Sequence, residues 1–559
     1  MPEACNASSK THQMRKLLYS SAILLCLSLI PGLSAAQKIP GLPEDEITKS
    51  ACTSIVVGKG ASDDGSVMTA HTCDSNFRTW LTMEPRKKFA PGSRDEIRWG
   101  LMHTEEPYDT RDVEVKGSIP APEQETFRYM NVAYPCMNEK QLAIGETTTE
   151  GRQDLRRGDA LFLIEELERV ALQRCSTARD AIRLMGSLAE EYGFADNGEC
   201  LTVIDKNEAW FFEIYGSGKS GKKPGALWVA QRIPDDHVGI SANVPRIGIV
   251  DFSDHENFMY GSDLRERCKE LGLWDGQSPF KFYKMVSEEG ENGKNFSHRE
   301  VYVFNLLSPG LGLSMKDEEI PFTVKPEKKV SARQMFEIYR STYEGSEFDM
   351  LKNLNTEVKR WVRNENGELV TVSDTTCPVS PYMTNAMRSL LNTLKPGTVS
   401  WAYTISVIQC SYSEIIKLRS WLPDEVGGVA YFAFDIPALT PRVPIYAGQT
   451  KLPAGFGVCG QKRYRQDAAI WKFRETNRLA AFGWNRTAGR IRQALREYDD
   501  MIFDDAPALE AKAAKLIEEG RRDEAVELLD RYCSRLSASE QKTWEELKAE
   551  FWSLFARSL

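Results

Sequence analysis

Two short apolar runs near the N-terminus, separated by a polar turn, give the clearest structural signal in the chain. Residues 52–60 read CTSIVVGKG and residues 67–74 read VMTAHTCD, with the polar segment ASDDGS between them. Runs of β-branched residues on either side of an Asp-Gly turn are typical of the paired strands of a β-hairpin. The pattern therefore predicts an antiparallel hairpin over residues 52–74.

Strand-like runs return in three later parts of the chain. Residues 137–148 predict a turn followed by a strand, and residues 199–243 alternate apolar runs with the turns DKNE, GSGKSGKKPG and PDD. Residues 400–448 again combine apolar runs with turns. Successive hairpins of this kind predict an antiparallel sheet.

Apolar positions at helical spacing predict two helices between these strand regions. Residues 158–175 place Ile164, Leu167 and Ala171 on one face. Residues 176–194 continue with a second helical pattern, in which Thr177 is the expected N-terminal cap.

The remaining segments complete an α+β pattern. Residues 80–128 show no sustained period and are expected to form loops, whereas residues 251–360 read as a charged, mixed insertion. The chain is predicted to be helical from Pro507, and its last helix to begin at a cap on Ser537 or Ser539. Because no alternation of strand and helix is sustained, the order favours a layered α+β fold over a parallel α/β fold.

The first residues resemble a targeting sequence rather than part of the fold. A basic MRKLL segment at Met14 is followed by an apolar run, and the small residues Ser34 and Ala36 stand where signal peptidase cuts. The run is about 14 to 17 residues long, shorter than the roughly 20 that span a bilayer. We expect a signal peptide over residues 1–36, with Met1 or Met14 as the natural start, and export to the periplasm or the exterior of a bacterial-type cell.

Charge and residue spacing exclude several classes of function. The net charge is −9 without a long basic stripe, which argues against nucleic acid as a partner. The 12 cysteines and 6 histidines are scattered and show neither CxxC nor HExxH spacing, so no metal site is predicted. GSGKS at residues 216–220 lacks the first phosphate-loop glycine, because position 213 is glutamate. We expect no metal, no cofactor and, once the signal is removed, no membrane span.

Cys52 opens the first predicted strand directly after a polar connector, residues 37–51, that ends in the small residue Ala51. The region begins with Cys52-Thr53 and continues with the run SIVVGK, the turn residues Ala61-Ser62 and Asp64-Gly65-Ser66, and Asp74. These elements, in this order, resemble the N-terminal block of the C69 peptidase family. Further stretches resemble that family in the family's order: MNEKQLAIGETT, WVAQRIPDDHVGISAN, SWLPDEVGGVAYFAFDIPALTPRVPIYAG and YRQDAAIWKFRETNRLA. The resemblance extends from Cys52 to about residue 500.

This resemblance implies an N-terminal-nucleophile hydrolase, whose fold is a four-layer αββα sandwich of two antiparallel sheets. The catalytic domain would cover residues 52–505, with the mixed insertion around 251–360, and residues 506–559 would form a helical C-terminal segment. Residues 37–51 would be a propeptide, cut after Ala51 so that Cys52 becomes the first residue of the mature chain.

The resemblance also implies roles for residues around Cys52. Asn243 stands where related amidases carry an oxyanion-hole asparagine, although it is equally suited to capping a turn. Asp74 ends the second strand of the hairpin and returns towards Cys52, where it would hold the ammonium of Cys52 or of a substrate; a solvated turn residue is the alternative. His71 stands where dipeptidase-type members carry arginine, which leaves the local charge open. Glu146 and Thr147 are expected to line the pocket.

The expected activity is hydrolysis of short peptides, chiefly dipeptides, without metal. A cysteine thiol has a pKa of about 8.5, and a free α-amine, with a pKa of about 7.7–8.0, is a suitable base on the same residue. Two alternatives remain open: an amidase acting on non-peptide acyl amides of the bile-salt or penicillin type, and a catalytically silent binding protein. Whether the chain forms a homo-oligomer is also left open.

Overall fold

The computed structural model describes residues 52–106, 111–218, 224–287 and 294–556. The predicted signal peptide, the predicted propeptide and the junction residue Ala51 lie outside the described residues. The strands of the described part are, in chain order, β1 (Thr53–Val57), β2 (Val67–Asp74), β3 (Thr82–Glu84), β4 (Arg94–Trp99), β5 (Glu114–Pro120), β6 (Tyr129–Asn131), β7 (Met137–Asn138), β8 (Leu142–Thr148), β9 (Glu199–Asp205), β10 (Ala209–Gly216), β11 (Ala226–Ile233), β12 (Val238–Ser241), β13 (Phe258–Tyr260), β14 (Thr323–Val324), β15 (Thr356–Arg363), β16 (Leu369–Thr376), β17 (Cys410–Leu418), β18 (Val429–Phe434) and β19 (Val443–Tyr446).

Two large antiparallel sheets contain most of these strands. One sheet has the order β14-β12-β1-β2-β17-β18-β19, and the other has the order β13-β11-β10-β9-β8-β7-β6-β3. The predicted first hairpin is confirmed, with Ser54 opposite His71. The strands predicted over residues 199–243 are also confirmed, but they are divided: β9 to β11 belong to the second sheet, whereas β12 pairs with β1 in the first.

Helices accompany both sheets. Those of the described residues are α1 (Ile164–Arg174), α2 (Ala178–Tyr192), α3 (Leu264–Glu270), α4 (Phe282–Val286), α5 (His298–Leu307), α6 (Ala332–Tyr339), α7 (Asn385–Leu394), α8 (Asp424–Gly427), α9 (Ala469–Phe482), α10 (Trp484–Glu518) and α11 (Arg522–Phe555). Helices α1 and α2 pack on the second sheet, and α5, α6, α9 and α11 contact strands of the first. The predicted α+β class, built on two antiparallel sheets, is therefore confirmed.

The two predicted central helices show why these residues fold locally as they do. The Thr177 hydroxyl accepts a hydrogen bond from the Asp180 backbone N–H at 3.2 Å, which confirms the predicted cap of α2. Buried residues at helical spacing, among them Ile182 and Met185, face the second sheet. Burial of this apolar face, rather than helix propensity, is the main source of such a helix's stability.

The sheets face each other at β1 and β2 on one side and β8 and β9 on the other. The hydroxyls of Thr69 and Thr202 lie 2.6 Å apart, and Ser54 Oγ donates to the Glu146 carbonyl at 2.8 Å. Because successive residues of a strand point to opposite faces, Ser54, Thr69 and His71 face the second sheet. The start of β1 also contacts α5 and α6, because Arg299 of α5 donates to Thr53 Oγ1 and Tyr339 Oη of α6 donates to the Thr53 carbonyl.

Residues 80–128 are more ordered than the sequence indicates. They contain the hairpin of β4 and β5, in which Ile97 and Ile119 are buried. The other inward-facing residue of β4 is Asp95, whose carboxylate forms an ion pair with Arg174 of α1 at 2.9 Å. A charged residue at an inward position hides the alternation of apolar and polar residues on which strand prediction depends.

The C-terminal helices also differ from the expectation. The cap expected at Ser537 or Ser539 is wrong, because α11 is already helical from Arg522. Helix α10 is continuous through Pro507 and through the predicted domain boundary at 505/506, which stays a prediction. Trp544 of α11 is fully buried and donates to the Leu439 carbonyl at 3.0 Å, so this helix packs on the first sheet's side of the fold. Among the described residues, no helix is both long and apolar enough to cross a membrane.

Candidate active site

Cys52 stands immediately before β1 and is fully buried. Thr53 pairs with Thr72 across the first hairpin, so the same register sets Cys52 opposite Cys73 of β2. Ten described cysteines, including these two, are free thiols. The first hairpin thus holds two thiols side by side at the end of β1.

A buried arginine from the predicted insertion fixes the backbone of Cys52. Arg299 of α5 donates through Nη1 to the Cys52 carbonyl at 2.7 Å and to Thr53 Oγ1 at 3.0 Å. Its Nη2 donates to the Ala242 carbonyl at 2.8 Å and to Asn243 Oδ1 at 2.9 Å. The planar guanidinium therefore joins the start of β1 to the segment after β12.

Asn243 follows β12 in the left-handed region, with φ of 61°, a conformation that asparagine adopts more readily than most residues. Besides accepting from Arg299, its side chain donates through Nδ2 to the Thr148 carbonyl at 2.7 Å. One of the two N–H groups of that carboxamide is thereby used, and the other is left for a further acceptor. The structure brings Asn243 to the site through Arg299, while its predicted oxyanion role stays a prediction.

Asp74 ends β2 and is fully buried, so the alternative of a solvated turn residue is wrong. Its Oδ2 accepts hydrogen bonds from Thr72 Oγ1 at 3.3 Å and Tyr403 Oη at 3.4 Å. Burial raises the pKa of this carboxyl to about 7, although the Cys410 thiol and the charge of Arg299 oppose the rise. Asp74 is therefore a carboxyl that changes charge near neutral pH.

His71 and Glu146 lie on the other side of Cys52, between the two sheets. His71 Nδ1 lies 2.5 Å from the Glu146 carbonyl oxygen, which can only accept, so Nδ1 carries the proton. Burial lowers the pKa of His71 to about 3, and the imidazole is neutral at physiological pH. Cys52, His71 and Glu146 each offer one potential metal-ligand atom, and these three atoms lie within 4.8 Å of one another. Among the described residues, this is the group that could hold a metal ion.

The carboxyls of Glu146 and Glu199 are neighbours beside this group. Burial raises the pKa of both carboxyls, to about 6 for Glu146, and the neighbouring Glu199 side chain limits the rise for Glu146. Thr148 Oγ1 also donates to Glu146 Oε1 at 3.0 Å. Both carboxyls are therefore harder to ionise than an exposed glutamate.

The surroundings hold the Cys52 thiol in its protonated form. A hydrogen bond with the Cys73 thiol lowers the pKa of Cys52, but burial and the carboxylates of Glu146 and Asp74 outweigh it, and the pKa is about 11. The backbone N–H of Asp74 also donates to the sulfur and lowers the pKa slightly. While a peptide bond still joins Cys52 to Ala51, the thiol is consequently a weak nucleophile.

Thr147 does not face Cys52 with a free hydroxyl. Its Oγ1 donates to the Cys200 carbonyl at 3.1 Å and lies 2.7 Å from Ser241 Oγ, which links β8 to β9 and β12. Its predicted place in the pocket stays a prediction. A separate cavity of about 400 Å³, lined in part by Arg86, Arg128 and Asp530, contains none of the residues grouped around Cys52.

Sequence reasoning missed Arg299, Cys73 and Glu199. The one local signal for Arg299 was the capping box formed by Ser297 and Glu300, which predicts that a helix begins at this point but not what it contacts. Cys73 follows from the hairpin register once Cys52 is chosen. The pairing of Glu199 with Glu146 depends on the alignment of β8 with β9, which no local pattern fixes.

The neutral, buried His71 gives a pH-dependent stability that can be measured. In the unfolded chain the imidazole takes up a proton below about pH 6.5, whereas in the folded chain it does so only near pH 3. Its stabilising contribution is therefore complete above pH 6.5 and is lost as the pH falls from 6.5 towards 3. We expect the His71→Gln variant to lose about 3 kcal/mol less stability than wild type between pH 7 and pH 4, measured by urea unfolding.

Other titrating groups do not alter the difference in stability between wild type and the His71→Gln variant. Asp74 and Glu146 have raised pKa values, so they change stability in the opposite direction over the same range, but they are present in both proteins. Parallel stability curves for the two proteins would show that folding does not lower the pKa of His71.

Comparison with known proteins agrees with the geometry. The profile of Peptidase family C69 matches residues 51–497, which is most of the chain. A probable dipeptidase of Latilactobacillus sakei is 25% identical over 418 residues, covering 72% of this chain and 75% of the relative. A probable dipeptidase of Salmonella dublin is 25% identical over 426 residues, covering 72% and 83%. Dipeptidase A of Lactobacillus helveticus is 22% identical over 470 residues, covering 80% and 85%.

The resemblance noted in the sequence is thereby confirmed, and the match begins one residue before Cys52. The buried thiol, the carboxyls beside it and the arginine that holds its backbone all lie within the matched region. This chain belongs to Peptidase family C69 and is a cysteine peptidase, which hydrolyses peptide bonds.

Proposed function

We propose that the chain is an exported dipeptidase in which Cys52 is the nucleophile and its own α-amine is the base. The observation that carries this proposal is the position of Cys52. It stands at the head of β1, beside the carboxyls of Asp74 and Glu146, and its carbonyl is bonded to Arg299. Relatives that are named dipeptidases support the substrate class.

Maturation supplies the base. In the full chain the Cys52 nitrogen is an amide and cannot accept a proton, but cleavage after Ala51 turns it into an amine. The amine is attached to the same Cα as the sulfur, so little entropy is lost in bringing the base to the nucleophile. Residues 1–36 would direct export, and residues 37–51 would keep the enzyme inactive until the cut. The Cys52 thiol would make this cut itself, and slowly, because its surroundings hold it in its protonated form.

The reaction then follows in two steps. The α-amine takes the thiol proton as the sulfur forms a bond to the substrate carbonyl carbon, and the negative charge on the oxygen is stabilised by the remaining N–H of the Asn243 carboxamide. The C–N bond breaks when the ammonium returns its proton to the leaving amine. Water then hydrolyses the thioester and releases the first amino acid and the thiol.

The buried carboxyls fit a substrate with a free amino terminus. A dipeptide carries an ammonium group next to the scissile bond, and a negative carboxylate favours an ammonium within about 4–6 Å. At neutral pH Asp74, with a pKa of about 7, is partly ionised, and Glu146, with a pKa of about 6, is largely ionised. We assign Asp74 to the ammonium of Cys52 or of the substrate, in the four-layer αββα arrangement expected of N-terminal-nucleophile hydrolases.

An activity assay on dipeptides tests the proposed function. We expect purified mature enzyme to release both amino acids from unblocked dipeptides, to lose activity completely when iodoacetamide alkylates Cys52, and to keep it in EDTA. Saturating dipeptide should slow the alkylation, because substrate and reagent compete for one sulfur. Peptide mapping by mass spectrometry then identifies the modified residue.

Other outcomes would decide against the proposal. Turnover of bile-salt or penicillin-type amides in place of dipeptides would identify an amidase, and turnover of neither class would identify a silent binding protein. Activity that survives full alkylation of Cys52 would exclude the cysteine mechanism.

A further inference from the structure

We propose that Cys52, His71 and Glu146 form a binding site for a single zinc-type transition-metal ion, which reversibly inhibits the enzyme. The inhibitory effect rests on the proposed function, whereas binding of the ion does not. The three side chains offer one sulfur, one nitrogen and one oxygen atom within 4.8 Å of one another. These are the three atom types that bind Zn²⁺ in proteins, where catalytic-type sites use three protein ligands and keep one position open.

The orientation of His71 suits a metal ligand. Its Nδ1–H donates to the Glu146 carbonyl oxygen at 2.5 Å, which leaves the lone pair on Nε2. Within the described ranges, Nε2 is buried and has no hydrogen-bond partner. Metal-binding histidines characteristically donate their other ring N–H to a carbonyl or carboxylate, which fixes both tautomer and ring orientation.

Like His71, Glu146 has one side-chain atom held by a hydrogen bond and a second, buried atom without a partner. Thr148 Oγ1 donates to its Oε1 at 3.0 Å, whereas the buried Oε2 accepts no hydrogen bond from the described residues. A bound cation would give that oxygen a partner. Unpaired buried polar atoms are costly, so one such atom on each of two side chains grouped with the Cys52 sulfur requires an explanation.

Charge balance also favours a divalent ion. The Cys52 thiolate and the Glu146 carboxylate neutralise its two positive charges, and His71 adds no charge because it would bind through the Nε2 lone pair while Nδ1–H donates to the Glu146 carbonyl. On binding, the thiol proton passes to solvent and the sulfur lone pair forms the metal–sulfur bond. The lone pair that would attack a substrate is then occupied, so catalysis stops until the ion leaves. Hard ions such as Mg²⁺ and Ca²⁺, which prefer oxygen ligands, should not bind.

Cobalt titration of the purified, reduced protein, with its N-terminal residue recorded, tests the site directly. We expect one equivalent of Co²⁺ to produce a thiolate-to-metal charge-transfer absorption in the near ultraviolet, which Zn²⁺ abolishes and Mg²⁺ does not. Cys52→Ala should eliminate the absorption, and His71→Gln and Glu146→Gln should each weaken metal binding at least about tenfold. Cys73→Ser, which removes the neighbouring thiol, should retain the absorption.

The activity of the same samples separates this proposal from the dipeptidase proposal. We expect Zn²⁺ to inhibit hydrolysis over the concentration range in which it displaces Co²⁺, and EDTA to restore it. A chain that shows the absorption but cleaves no dipeptide would support the metal site and contradict the proposed function. An active enzyme with no absorption, or with an absorption that survives Cys52→Ala, would overturn the metal site alone.

Discussion

Cys52→Ala is expected to lower kcat/KM for dipeptides by at least about 10⁴-fold, because it removes the atom that forms the covalent bond to the substrate. The side chain is fully buried and small, so the change should leave the fold intact. Cys52→Ser should retain a small fraction of the activity, since a hydroxyl is a weaker nucleophile than a thiol when the base is an amine of pKa about 8. Initial rates on one dipeptide, with protein folding checked by circular dichroism, measure both effects.

Cys268→Ala is the matched control for this experiment. Cys268 is buried to the same extent as Cys52 but belongs to a separate apolar cluster around α3 and α4. The Cys268→Ala variant should have the same kcat/KM as the wild-type enzyme. Equal losses in both variants would show that the effect is structural, and full activity in Cys52→Ala would exclude Cys52 as the nucleophile.

Arg299→Lys is expected to lower kcat by about 100-fold with a much smaller change in KM, because a misplaced nucleophile slows the chemical step. The guanidinium bonds the Cys52 carbonyl and Asn243 at the same time, and one ammonium group cannot reach both. The lost hydrogen bonds should also cost about 2–4 kcal/mol of stability. Steady-state kinetics and urea unfolding of the same preparation separate the two effects.

Arg419→Lys controls for the loss of stability. Arg419 is buried to the same 5% exposure as Arg299 and also bonds backbone carbonyls, those of Val426 and Gly427. It makes none of the contacts that surround Cys52. We expect a comparable loss of stability with unchanged kcat; a similar loss of kcat in both variants would mean that Arg299 acts only through overall stability.

The elements read correctly from the sequence are those whose information is local. The hairpin of β1 and β2 combines β-branched runs with an Asp-Gly turn, and the cap at Thr177 is a four-residue pattern. Local signals also misled: Ser537 and Ser539 resemble a helix start, yet α11 passes through them because Leu529, Cys533 and Leu536 before them are buried.

The site was predicted in part for the same reason. Cys52 and Asp74 belong to one hairpin, so the sequence brings them together, whereas the bond from Arg299 to Cys52 spans 247 residues. Glu146 was expected near Cys52 only through family resemblance, and its neighbour Glu199 not at all. Contacts between sheets depend on how the layers align, and no periodicity within one segment encodes that alignment.

The N-terminal residue of the active enzyme tests the central claim most directly. The account requires that the nitrogen of Cys52 is a free amine, because no other base is assigned to the thiol. Intact-mass and N-terminal peptide analysis of a preparation that cleaves dipeptides should therefore find a chain that begins at Cys52. A fully active chain that begins at Gln37, or anywhere else before Cys52, would contradict the account.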